Sequence, residues 1–163
     1  MRRGCLFFAL AICGMPAPSF AAAMPATMVV TNPWSRVTAS AGSAAVVYLT
    51  LRDNGLPDRL TAVSTPVAAQ AELHVSRMVN GVMEMDPAGP LPLKPGVPLS
   101  FSPDGYHIML TGLTHALAVG EHFSLTLKFV HAAPLTVTVT VQPMSYMPQD
   151  GSGMGAMAGM KMD

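Results

Sequence analysis

Four side chains carry the chemistry that can be read first: His74, Met85, His107 and Met109, spaced as H-x10-M-x21-H-x-M. Thioether sulfur is soft, polarizable and uncharged, and among biological metals it suits Cu(I). Neutral imidazole is a strong nitrogen donor that copper also accepts. Hard ions such as calcium and magnesium require oxygen ligands, which this set does not provide. Two imidazoles and two thioethers therefore point to a soft monovalent ion that is held.

The elements that must position these donors are strands. Asn80-Gly81, flanked by β-compatible runs, is a strong two-residue hairpin signal. A loop there pairs Val79 with Val82, Met78 with Met83, Arg77 with Glu84 and Ser76 with Met85. His74 then shares a face with Met85, one diagonal step away, roughly 7–8 Å at the backbone. Met83 has the same parity as Met85, and Met78 the same parity as His74, so spacing alone leaves both open as core residues or further donors. His107 and Met109 are two apart and share a face, with Ile108 and Leu110 turned the other way.

The rest of the chain supports an antiparallel sandwich. Runs at 28–31, 44–51, 59–65, 71–79, 82–85, 106–110, 123–130 and 135–141 read as strands, with a short one around Val97, Leu99 and Phe101. The stretch 87–98 holds five prolines and reads as a loop. Asn32-Pro33 reads as a turn or edge, and Trp34, the sole tryptophan, as a core or rim residue. No long stretch has a helical period.

The two ends differ from this middle. Residues 1–23 read as a secretory signal peptide: Arg2-Arg3, the short apolar run CLFFALAIC, then small residues at a cleavage site, which implies export to the periplasm. Residues 24–142 form the β-domain. Residues 143–163 are rich in Gly, Ser and Met and read as a disordered tail, whose methionines could bind further copper. Both cysteines, Cys5 and Cys13, fall in the signal, so the exported form has no thiolate for a blue-copper centre. Ile12 is a poor residue before a lipid-modified Cys13.

The chain resembles the periplasmic copper chaperones of the PCu(A)C family. The resemblance is carried by the four-donor pattern and by NPWSR, AAVVYLTLRDNG, DRLTAVSTP, ELH, GVMEM, GYHIMLTGL and GEHFSLTLKF, landmarks spread from about residue 29 to 141. It implies a cupredoxin-like antiparallel β-sandwich with Greek-key connections. It selects Met85 over Met83, and so implies a Cu(I) site of His74, Met85, His107 and Met109. It further implies a monomeric metallochaperone that delivers copper to a respiratory oxidase, the acceptor being an oxidase copper subunit or a thioredoxin-like assembly factor. The membrane would then be met only through that acceptor. A periplasmic copper buffer with no dedicated acceptor is the alternative, and a metal-free protein-binding sandwich a more distant one.

Composition narrows the other classes. The formal charge is zero, and without Arg2 and Arg3 it is −2, so there is no basic footprint for nucleic acid. Carboxylates are few and scattered, and no paired acid/base site, nucleophile elbow or phosphate loop is present, so an enzyme is not expected. His115, His122 and His131 lie outside the pattern and read as surface or hydrogen-bonded histidines.

Overall fold

A computed structural model describes residues 28–148 of the chain. The signal segment and the tail methionines from Met154 onward lie outside the described residues. Ten strands follow in order: β1 Met28–Arg36, β2 Ala45–Asp53, β3 Asp58–Ser64, β4 Ala68–Val79, β5 Val82–Pro87, β6 Leu91–Leu93, β7 Leu99–Ser100, β8 Tyr106–Leu113, β9 His122–Phe129 and β10 Leu135–Gln142. They join along the path β5-β4-β8-β2-β1-β10-β9-β3-β6, with β7 paired to β2. Pairing is antiparallel except between β1 and β10, which run parallel.

That path bends so that its two halves face each other. One buried cluster takes Val47, Leu49 and Leu51 from β2, Leu73 from β4, and Ile108 and Leu110 from β8. It unites them with Leu60 and Val63 of β3, Phe123, Leu125, Leu127 and Phe129 of β9, and Val139 and Val141 of β10. In β2, β9 and β10 alternate residues enter this core, as a half-buried strand requires. The architecture is the all-β sandwich expected, its layers linked through the β1–β10 pair.

Three strands differ from the sequence reading. β1 runs through Asn32-Pro33 as a bulge: Thr31 faces Thr50 and Trp34 faces Tyr48, so two residues oppose one, with Asn32 at φ 50°. β6 forms inside the proline-rich stretch because it is an edge strand, where Pro92 forfeits no interior ladder bond while Leu91 and Leu93 reach the core. The strand expected around 97–101 is reduced to β7, with Phe101 continuing onto β2 through its N–H to the Leu49 carbonyl at 2.8 Å. One glycine is demanded by the fold: Gly112 in β8 has φ 67°, and a Cβ there would stand 2.9 Å from that of Ala69.

Candidate metal centre

The site lies on the outer face of the β5-β4-β8-β2 layer. The core face of β8 is set by Ile108 and Leu110, opposite Leu73 and Ala71 on β4 and Val47 and Ala45 on β2. The intervening residues therefore face outward: His107 and Met109 on β8, Glu72, His74 and Ser76 on β4, Val46 on β2. The hairpin has the expected register, Ser76 opposite Met85 and Met78 opposite Met83. Asn80 at φ 51° and Gly81 at φ 83° supply the two left-handed residues that such a turn needs.

His74 and His107 are direct ladder partners, their rings 5.9 Å apart between centroids and inclined by 31°. That spacing leaves room for one ion between two nitrogen edges, since metal–imidazole bonds are about 2 Å. Met109 is opposite Glu72, one step along the ladder on one side of the histidine pair. Met85 is opposite Ser76, one step along on the other side. The structure thus places all four predicted residues on one face, with the imidazoles central and the thioethers flanking them diagonally. Met109 is half-buried, whereas Met85 is 58% exposed.

The ring nitrogens are already sorted. The Nδ1–H of His107 donates to the Gly105 carbonyl at 3.2 Å, which leaves Nε2 with its lone pair free. The same carbonyl accepts the Ser76 N–H at 3.0 Å, so β4 fixes the turn that aims His107. His74 offers Nε2 to the Glu72 carboxylate at 3.4 Å, while its Nδ1 is buried with no hydrogen-bond partner. An orphaned buried nitrogen is costly, and a cation bonded there removes the cost. The residues present fit a soft ion. Among the described residues no three His, Cys, Asp or Glu side chains converge as a metal cage, so the thioethers are what would complete the donor set.

His107 is 3% exposed although it faces away from the core. It sits where the chain folds back on β8: Phe101 bridges Tyr106, and the Ser102 N–H reaches the Tyr106 carbonyl at 2.8 Å. Trp34 shares this outer face through its partner Tyr48, with ring centroids 4.7 Å apart. It is buried, but it belongs to this face and not to the cluster between the layers. Arg36 lies 5.7 Å over its ring, and Tyr146 meets it edge-on at 5.0 Å. Burial pushes the Tyr48 hydroxyl above the ordinary phenol range; the Arg36 charge opposes this and the Asp104 charge adds to it.

The sequence reading did not single out Glu72, Ser76 or Gly105. Parity from His74 marks Glu72 and Ser76 as face-mates, but the Gly105 carbonyl is a backbone group and leaves no residue-type signal. The three other histidines each have partners: His115 with Glu121 and Thr114, His122 with Thr140, and His131 with Asp58.

Residues 28–141 match the family described as "Putative lipoprotein LpqE-like". "Putative lipoprotein Lxx21020" of Leifsonia xyli subsp. xyli (strain CTCB07) is 30% identical over 118 residues, 71% of this chain and 70% of that protein. Among solved structures, the copper-bound PCuAC domain from PmoF2 aligns at TM-score 0.60 and 21% identity, over 72% of this chain and 93% of that one. Apo-DR1885 from Deinococcus radiodurans aligns at TM-score 0.57 and 26% identity, over 88% and 97%. The chain belongs to the LpqE-like family, and its β-sandwich is that of the PCuAC domains its sequence landmarks resemble.

Proposed function

We propose that this protein is a cell-envelope carrier of Cu(I), binding the ion through His74, Met85, His107 and Met109. The observation that carries the reading is the facing His74–His107 pair, with a free Nε2 on one ring and an orphaned buried Nδ1 on the other, flanked on the same face by two thioethers. Neutral sulfur donors bind without releasing protons and keep the site's charge low, which favours Cu(I) over Cu(II). Copper in the PmoF2 domain of like fold, and relatives described as lipoproteins, are in keeping with cargo and place.

The site is suited to carrying. Its imidazoles are held by Gly105 and Glu72, but Met85 stands largely in solvent, so an acceptor's donor can replace it first. The acceptor we infer, from the family resemblance, is the copper centre of a respiratory oxidase or a thioredoxin-like assembly factor serving it. X-ray absorption of the copper-loaded protein is expected to find two nitrogen and two sulfur neighbours. Replacing both Met85 and Met109 by Leu is expected to weaken Cu(I) binding by at least about tenfold, or 1.4 kcal/mol. Undiminished affinity in that variant would sink the assignment. Normal oxidase assembly in a deletion strain at limiting copper would leave carriage standing and point to a buffer with no dedicated acceptor.

A further inference from the structure

The β4–β5 hairpin carries two methionines that the quartet does not use. Met78 and Met83 are direct partners, two residues beyond Ser76 and Met85 on the same face. Their exposures are 65% and 47%, so neither is a core residue, and they crown the hairpin tip next to a Met85 that is 58% exposed. All six residues of β5 are exposed. Three long apolar side chains in solvent on one edge hairpin are an expense in solubility that packing does not explain.

The ladder says how close these sulfurs come. The Ala88 N–H bonds the Leu73 carbonyl at 2.7 Å, which marks residues 73, 75, 77 and 79 as the hydrogen-bonded positions of β4 toward β5. Met78–Met83 and Ser76–Met85 are then both non-hydrogen-bonded pairs, the kind whose side chains lie closest, with Cα atoms about 4.5 Å apart. Met85 is two residues along from Met83 and one diagonal from Met78. By register it is also one diagonal from His74, on its other side. Its flexible thioether can therefore turn either way.

We infer that Met78, Met83 and Met85 form a second, outlying site for a monovalent soft cation, Cu(I) or Ag(I), at the hairpin tip. Met85 is common to this trio and to the quartet, and the ion passes between the two by exchange of ligands, with no change of oxidation state. Three neutral thioethers fit a soft ion of single charge; the carboxylate of this face, Glu72, lies beyond His74 from the tip, and Arg77 and Glu84 pair across the opposite face. The tip is the open end, so the ion arrives or leaves there. The passage role rests on the quartet reading, whereas the existence of the tip site does not.

The test uses the full chain with 13C-labelled methionine methyls, each assigned by a single Met→Leu substitution so that tail methyls are separately resolved. It is titrated with Ag(I), and with Cu(I) under anaerobic reductant. The first equivalent is expected to move Met85 and Met109. Further ion is expected to move Met78 and Met83 together, and Met85 again. In the Met78→Leu/Met83→Leu variant, occupancy at the first equivalent should be unchanged, while transfer to a soluble Cu(I) chelator should slow by at least about threefold, because this exposed pair leaves the fold intact. Met78 and Met83 methyls that stay still throughout the titration overturn the site. Wild-type transfer in the double variant overturns the passage. Movement of Met78 and Met83 with Met109 unmoved would uphold the tip site and sink the quartet instead.

Discussion

His107 and Met85 mark the two extremes of constraint among the four proposed donors. One ring is sealed at 3% exposure and tied to a carbonyl that also anchors β4; the other side chain is loose in solvent. Residue type and parity were enough to read which side chains share the site's face. They could not reveal which groups hold them, because Gly105 acts through its backbone. Asp58 was invisible for a related reason, since its partners His131 and Ala132 lie more than 70 positions away. It accepts the N–H groups of Arg59, His131 and Ala132 and the ring of His131, joining the start of β3 to the loop before β10. Burial alone would raise the Asp58 carboxyl, but the N–H groups of Ala132, Arg59 and His131, with the His131 ring, outweigh it and hold the group below the ordinary carboxylate range. A carboxyl lowered in the folded state stabilises fully above its unfolded value, about 3.9, and loses that contribution as pH falls through the lower folded value. Asp58→Asn is expected to cost about 1–3 kcal/mol at neutral pH and to flatten the acid limb of the stability curve. Urea denaturation across acid pH checks both.

At the scale of elements, the β4–β5 hairpin was the most legible part of the chain. Asn80-Gly81 fixes a two-residue turn, and the turn fixes every pair from Val79–Val82 down to His74–Pro87. The less legible strands were those where a local rule yields to the neighbourhood. Pro33 survives inside β1 because a bulge absorbs it, and Pro92 survives in β6 because that strand is an edge. Neither circumstance is written in the residues themselves. The turn offers a direct test of register as the cause of function. Gly81 has φ 83°, which a β-branched side chain strongly resists. Gly81→Val is expected to disturb the register, turn Met85 off the site's face and weaken Cu(I) binding, while the core signals of β8 and β9 persist. Amide spectra and a Cu(I) competition titration distinguish this from global unfolding. A variant that binds as tightly as the parent would show that Met85 does not depend on the turn.

At the scale of the whole molecule, alternation along the strands foretold two layers around one core, and Phe123, Leu125, Leu127 and Phe129 all lie in it. The order of strands along the path was not legible, because pairing of β1 with β10 joins segments from the two ends of the domain. Trp34 shows the same limit: a sole tryptophan reads as core or rim without saying which, and its ring is buried on the outer face beneath Tyr48 and Tyr146. Tyr146 belongs to the stretch read as tail, so residues 143–148 are partly fastened to the domain. One indole in the entire chain, stacked on the face that carries the proposed donors, makes the protein its own fluorescent gauge. Tyr146→Ala is expected to wet that ring and shift its emission to longer wavelength, and an unchanged spectrum would show that the tyrosine does not shield it. With no dye attached, the colour of one side chain would report whether the C-terminal strap is fastened.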